Sequence, residues 1–563
     1  MADEFSSDLP AEPGFEEPES QVTKDKGGKH GVGMVSIAIM GVHFLARFGG
    51  MLQKMVVAHF FGTSAMGDVA AAVEKVFQVI YYIPQEVLSH SLLPIFNRVR
   101  LTGEGEQAAW RTASITGTLQ AILLVIVGVL GMCFTGTLCG IALDPPDPTR
   151  AHYAVEVAKY DMAVHIVRGS MLGLFCTSMA SLTYVLLNSY KRFVSPAMGD
   201  VAQKLGIVLG IVIWSVGFGR KDPMGYALGF ILGGIFKLAT HLIALGPKLR
   251  LIKPGVDFKD KALGELGHLM LPLLGGSLTS KARDMIEFKM SWAASEIVVG
   301  TAASLDFARK IVWTPVNILP YALGIAMFPF VADWALHKQN DKVTEAFLSA
   351  SRMMIYVFAP LTIICFLLGP QVVTTLYKSG EFGDESVILV TAAFDAYAAG
   401  MIFYALEIIA LQIFYAYRDT RTPFWLGLVA SAGQLVVSWF LGLALGLGNV
   451  GIATGFALAK TIKVGVMWRY LRPNLTGFHW PSLIRMVTRT ALACVVMSVV
   501  VVGCKVVGLG VLHLDLSNRK WALLFMVGAS GAGLLTYVGA SLFLGIEEAQ
   551  PLVAKVMRKL KRR

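Results

Sequence analysis

Residues 47–100 read RFGGMLQKMVVAHFFGTSAMGDVAAAVEKVFQVIYYIPQEVLSHSLLPIFNRVR. Two long, mostly apolar helical runs meet at the short turn Phe61-Gly62-Thr63-Ser64. Both runs carry charge. Arg47 and Lys54 sit two helical turns apart and share a face of the first run. Asp68, Glu74, Lys75 and Glu86 lie on the second. A charge at the bilayer centre costs roughly 2.5–3.5 kcal/mol on the insertion scale, so such residues face protein or a water-filled cavity. Two readings follow. Either the charges pair with one another or snorkel to the interface, or they line a polar, cation-bearing cavity inside a helical bundle.

The rest of the chain repeats the apolar character of this stretch. Of 563 residues, 55% are hydrophobic and 15% charged, and the mean hydropathy is +0.61. Apolar segments long enough to cross a bilayer recur from about residue 34 to about residue 545, the pattern of an all-α polytopic membrane protein. About fourteen spans of ~20 residues fit. Basic residues cluster on one side of that topology: Arg98, Arg100 and Arg111, then Lys191 and Arg192, the run Lys248 to Lys261, Lys338 and Lys342, Arg418 and Arg421, and Arg469 and Arg472. The alternate loops are poorer in Lys and Arg, which places both termini in the cytoplasm. The net charge of +11 therefore reflects topology and not nucleic-acid binding. The six cysteines are scattered through apolar segments with no CxxC pair, so neither a disulfide frame nor a zinc site is expected.

The ends differ from the middle. Residues 1–33 read as a disordered cytoplasmic tail, acidic then basic, without the pattern of a signal peptide. Residues 547–563 form a basic cytoplasmic tail. Within it, Pro551–Arg563 carries six basic residues and no acid and reads as an amphipathic helix on an anionic leaflet.

Sliding the chain against itself by about 235 residues places Pro94 on Pro329, Lys54 on Lys289 and Lys75 on Lys310; a similar shift pairs 188–196 with 415–423. Two six-helix halves follow, at 34–250 and 251–475, with a further helix pair at 476–546. In the second half, the seventh span holds Lys281, Arg283, Asp284, Glu287 and Lys289. The spacing predicts internal Arg283–Glu287 and Lys281–Asp284 pairs. The eighth span holds Arg309 and Lys310, followed by Pro315 and Pro320, where a hinge is expected.

No Walker A, HExxH or GxSxG sequence is present. The chain reads as a carrier, not an enzyme, and no cofactor is expected. A membrane enzyme would show a base- or metal-forming cluster, and a scaffold would leave the charged spans without a role. Net positive charge in the cavity points to an anionic substrate such as a phosphate or carboxylate.

Five motifs carry a resemblance. They are Phe61-Gly62 with Asp68, Ser89-His-Ser-Leu-Leu-Pro94, Leu187-Asn-Ser-Tyr-Lys-Arg-Phe193 with Pro196, Leu376-Tyr-Lys-Ser-Gly-Glu-Phe382, and Phe414-Tyr-Ala-Tyr-Arg-Asp-Thr-Arg-Thr-Pro423. Together they resemble the MurJ/MviN family of lipid II flippases in the MOP exporter superfamily, over about residues 35–545. The resemblance implies fourteen helices: two six-helix lobes and a terminal pair forming a groove for the polyprenyl tail. It implies alternating access around a cationic cavity that holds the pyrophosphate head, in the bacterial cytoplasmic membrane. The implied partners are the polyprenyl-diphosphate-linked glycan (lipid II) and membrane lipids, with the chain acting as a monomer. Arg47 matches the family's first cavity arginine, behind Ala46 in place of a serine. Its next arginine falls on Gln53, the following acid on Lys54, and its second-span arginine on Tyr81. The eighth-span Ala-Asp-Arg becomes Ala308-Arg309-Lys310, while Asp68 and Arg168 match. The expected substrate-binding set is Arg47, Gln53, Lys54, Asp68, Lys75, Arg309 and Lys310. The alternatives are a flippase for another polyprenyl-diphosphate-linked oligosaccharide, or a MATE-like antiporter, which would want buried acids in excess.

Overall fold

The computed structural model describes residues 28–101, 105–149, 153–192, 194–257, 259–477 and 480–550. The expected basic segment 551–563 and residues 1–27 of the expected tail lie outside that set; the first helix begins at Gly28. The protein is all-α. Among the described residues there are seventeen α-helices and no strand beyond one isolated bridge between Ser379 and Phe382. The first seven are α1 (Gly28–Phe61), α2 (Ala65–Leu101), α3 (Gly105–Cys133), the short α4 (Thr135–Ala142), α5 (Tyr153–Ser189), α6 (Val194–Val212) and α7 (Gly225–Leu245). The next eight are α8 (Lys261–Ala294), α9 (Thr301–Val316), α10 (Leu319–Leu336), α11 (Asn340–Tyr377), α12 (Asp384–Ala399), α13 (Met401–Ala416), α14 (Arg421–Trp439) and α15 (Gly448–Leu471). Finally come α16 (Trp480–Val506) and α17 (Arg519–Phe543).

Nine of the described helices are long and apolar enough to cross a membrane, or eleven counting α9–α10 and α12–α13 as broken spans. The most charged helices, α2 and α8, are not among them. Prolines shape the breaks. α9 stops one residue after Pro315, and Pro320 opens α10, where a missing N–H costs nothing. Leu368 leaves helical geometry two residues before Pro370 and kinks α11, because a proline ring crowds the preceding turn. Where a helix starts without such help, a side chain caps it: the Asp260 carboxylate accepts from the Ala262 and Leu263 N–H groups at the head of α8.

Packing follows the sequence order. α5, α6 and α7 pack on one another, with α2 against α5 and α1 against α6. α9 packs on α12, α10 on α13, and α14 on α15, while α11 touches α12 and α13. The pair α16–α17 packs against α11, where the Tyr537 hydroxyl donates to the Tyr356 carbonyl at 2.8 Å. Its other faces expose Val499, Leu524, Leu535 and Phe543, an apolar surface suited to lipid. The first seven helices meet the next eight chiefly where α2 crosses α8 and α9. The charged stretches of both halves lie at that crossing.

Candidate functional site

Lys54 is the hub of the crossing. It is almost fully buried, and its ammonium lies 2.8 Å from Glu74 Oε2 and also pairs with Asp306. Three helices, α1, α2 and α9, are tied by this one cation. Glu74 is satisfied on every side: Gln53 Nε2 donates at 3.1 Å, Tyr226 Oη at 3.0 Å and Gln78 Nε2 at 2.7 Å. A buried ion pair repays desolvation only when its remaining lone pairs are bonded, and here they are. Gln53 and Lys54 therefore act as one unit with Glu74.

A cavity of about 150 Å³ opens beside this hub, lined by Glu74, Lys75, Asp284, Glu287, Asp306 and Arg309 among others. The Arg309 guanidinium pairs with Glu287, receives no acid from its own helix, and donates to Tyr397 Oη at 2.8 Å. It also stacks over the Tyr397 and Phe456 rings at 5.3 and 5.2 Å. Gln434 Nε2 donates to the other Glu287 oxygen at 2.8 Å. Asp284 pairs with Arg283 beside it and with Lys75 at 3.9 Å. The expected Arg283–Glu287 pair is thus replaced: Arg283 turns to its neighbour, and Glu287 to α9. The four carboxylates that line this cavity are each matched by a cation.

Among the cations that α1, α6 and α9 bring to this crossing, Arg47, Lys204 and Lys310 have no carboxylate in ion-pair range. Arg47 is exposed, two turns along α1 from Lys54. Lys310 reaches α1 at Gly50, where a Cβ would sit 2.6 Å from its ammonium, so a larger residue there would displace the end of the lysine side chain. Lys204, from α6, lies against the adjacent Gly49.

Asp68 is placed elsewhere. It is fully buried at the head of α2, away from the cavity lining. Its carboxylate accepts from the Gly300 N–H at 3.0 Å and the Ala303 N–H at 2.9 Å, the free donors at the start of α9, and from Lys159 Nζ at 3.1 Å. Lys159 in turn bonds Ser295 Oγ at 2.6 Å and lies 4.1 Å from the Trp292 ring centre. Beside this latch, Thr63 Oγ1 donates to Ser386 Oγ at 2.8 Å and the Glu381 N–H donates to the His59 carbonyl at 2.9 Å. The turns after α1, α8 and α11 close together at this end. Gly300 has φ +88°, and a Cβ there would strike the Thr63 carbonyl. Gly300→Ala should cost about 1–3 kcal/mol and lower the thermal midpoint of the purified protein; an unchanged midpoint would count against this packing.

Sequence reasoning passed over other buried cations. Lys237 on α7 is wholly buried, lies 2.7 Å from Asp200 and donates to Tyr81 Oη. A cation thus adjoins Tyr81, supplied by another helix. Lys460 and Lys463 on α15 both reach Glu407. The usable signal was a lone lysine inside an apolar run, which by itself marks an intramembrane charge. Arg168, by contrast, is exposed on α5.

Known proteins share this architecture. A solved lipid II flippase MurJ in an inward closed conformation superposes with a TM-score of 0.69 at 17% identity, over 91% of this chain and 98% of that one. An inward-facing multidrug resistance MATE family transporter of the MOP superfamily gives 0.63 at 12% identity, over 78% and 98%. At these identities the likeness is one of fold. The probable lipid II flippase MurJ of Vibrio cholerae is 21% identical across 91% of this chain and 95% of its own length. That of Rickettsia prowazekii is 23% identical across 89% and 94%. The sequence profile of the family described as lipid II flippase MurJ matches residues 57–516, a run that takes in the Lys54-facing carboxylates, the α9 cations and the Asp68 latch. A match over that much of the chain, on this fold, makes it a multi-pass membrane protein of the MurJ family.

Proposed function

We propose that this chain is a flippase that moves lipid II from the inner to the outer leaflet of the bacterial cytoplasmic membrane. The family match across residues 57–516 carries the reading. The charge arrangement supports it. Each acid of the central cavity pairs with a cation, Lys54 serving both Glu74 and Asp306, and Lys204, Lys310 and Arg47 are left to attract an anionic head. The cavity is cationic in this sense: Lys204 and Lys310, outside its lining but within electrostatic reach of Glu74, are positive charges without an acid of their own. Binding of the head near Lys310 would weaken the ties to Lys54 and Arg309 and let the lobes 34–250 and 251–475 rock between two openings. The pair at 476–546 offers the polyprenyl tail its exposed apolar faces. Under the positive-inside topology, with both termini cytoplasmic, the Asp68 latch lies on the outer side. Membrane potential then favours outward movement of an anionic head, by about 2.3 kcal/mol per charge per 100 mV. The working unit is a monomer, with lipid II and membrane lipids as its partners.

A second reading keeps the mechanism and changes the head. Gln53, Tyr81 and Arg309 depart from the MurJ pattern, which favours a flippase for another polyprenyl-diphosphate-linked glycan. Native mass spectrometry of the purified chain separates the two. Lipid II should bind more tightly than a polyprenyl diphosphate bearing an unrelated oligosaccharide; the reverse order would overturn the lipid II assignment.

Losing a hydrogen bond to a charged group costs about 1.5–3 kcal/mol, or roughly 10–100-fold. Arg47→Ala and Lys310→Ala should each lower the appearance of outer-leaflet lipid II by about that factor, with unchanged amounts of folded protein. Normal transport by both variants would remove these residues from the site.

A further inference from the structure

A second cavity, of about 250 Å³, lies between α8, α14 and α15. Its lining reverses that of the central one. Arg283, Lys460 and Lys463 face it, and among the described residues no carboxylate does. Ser280 and Ser431 add hydroxyls. Behind the lining, the acids are too few. Lys460 Nζ lies 2.8 Å and Lys463 Nζ 2.7 Å from the single buried carboxylate of Glu407. Arg283 shares Asp284 with Lys75. Each acid thus holds two cations; Arg283, Lys460 and Lys463 face this cavity against the two acids behind them, a surplus of one positive charge. Ions withdrawn from water are costly unless matched, and a bound anion would match these.

We propose that this cavity is a phosphate subsite. It takes the phosphate or diphosphate of a lipid head, with the Arg283 guanidinium gripping two oxygens and the two ammoniums acting as point charges. Its volume falls just below the roughly 300–1,000 Å³ of sites that enclose a drug-sized ligand, so it suits the diphosphate and not a whole sugar–peptide head. Phe424 lines the cavity and is itself exposed, which gives a lipid chain an apolar contact beside the cations. Gln434 lines this cavity and bonds Glu287 of the central one, so its side chain links the two linings. As a subsite for the transported lipid, the assignment rests on the flippase reading. A resident anionic phospholipid offers the same chemistry.

The test uses inorganic pyrophosphate and the full chain in phosphatidylcholine nanodiscs, with binding followed by calorimetry. The double variant Arg283→Gln, Lys460→Gln should bind pyrophosphate at least tenfold more weakly. Its unfolding midpoint should hold, because Asp284 keeps Lys75 and Glu407 keeps Lys463. Lys342→Gln, which removes one positive charge from an exposed site, should bind as the parent does. Equal binding by the double variant and the parent overturns the subsite. Should the double variant not fold, unchanged binding in both single variants overturns it equally. Competition by lipid II, but not by phosphatidylglycerol in the disc, assigns the site to the transported lipid; the opposite pattern assigns it to a membrane phospholipid. Pyrophosphate binding that depends on Arg283 and Lys460 in a chain that binds no lipid II supports the subsite while refuting the flippase reading.

Discussion

Asp68→Ala should abolish transport while leaving the chain inserted and folded. The carboxylate is fully buried and does three things at once: it satisfies two N–H groups at the start of α9, neutralises Lys159, and fastens α2 to α9 across the two halves. Removing one partner of a buried, hydrogen-bonded pair costs about 3–5 kcal/mol, because the other charge stays behind unpaired. That cost falls only on the state in which α2 and α9 meet, so the equilibrium shifts toward separation of this end. Thr63 and Ser386 report on it directly, since their hydroxyl oxygens are 2.8 Å apart in the closed arrangement. A Thr63→Cys, Ser386→Cys pair should cross-link readily on oxidation in the parent and far more slowly in Asp68→Ala. Equal cross-linking in both would mean that the latch does not hold this end shut.

Lys54→Met should destabilise the protein by a comparable amount, for a different reason. It leaves two carboxylates, Glu74 and Asp306, facing each other at the centre of the fold with no cation between them. The expected loss is again about 3–5 kcal/mol, read as a fall in the thermal midpoint of detergent-solubilised protein. Adding Glu74→Gln to Lys54→Met should recover part of the loss, because one of the stranded charges is gone and the amide can still accept from Tyr226. Contacting residues couple by about 0.5–3 kcal/mol in such cycles. Strict additivity of the two substitutions would show that Lys54 and Glu74 do not act together.

The class of the fold was legible because the bilayer imposes it. Apolar segments of spanning length, loops biased in Lys and Arg, and prolines at helix breaks are local signals, and Pro315 and Pro320 bracket a break where the sequence suggested a hinge. The charged helices were legible as charged, but their partners were not. Arg283 and Glu287 stand four residues apart, and the helical rule joins them. Such a pair is worth only ~0.2–0.5 kcal/mol, whereas the buried Glu287 carboxylate gains more from the Arg309 guanidinium held against it by Tyr397. The tertiary partner wins, and no spacing along α8 could reveal it. Asp68 misled for a related reason. Its place near the head of an apolar helix suggested a charge facing the cavity, and its ligands are backbone donors some two hundred residues away in the chain, at Gly300 and Ala303. Lys237 and the Lys460–Lys463 pair were hidden by their surroundings, since their acids Asp200 and Glu407 lie on neighbouring helices.

Rescue is the most direct measurement. The chain would be expressed in a bacterium depleted of its own lipid II flippase, with survival and outer-leaflet lipid II scored together. Cells should survive and lipid II should reach the outer leaflet, and Asp68→Ala should support neither at equal protein levels. Death of the cells with well-inserted parent protein and no outer-leaflet lipid II would contradict the lipid II assignment, and would direct attention to Gln53, Tyr81 and Arg309 as determinants of a different lipid-linked glycan.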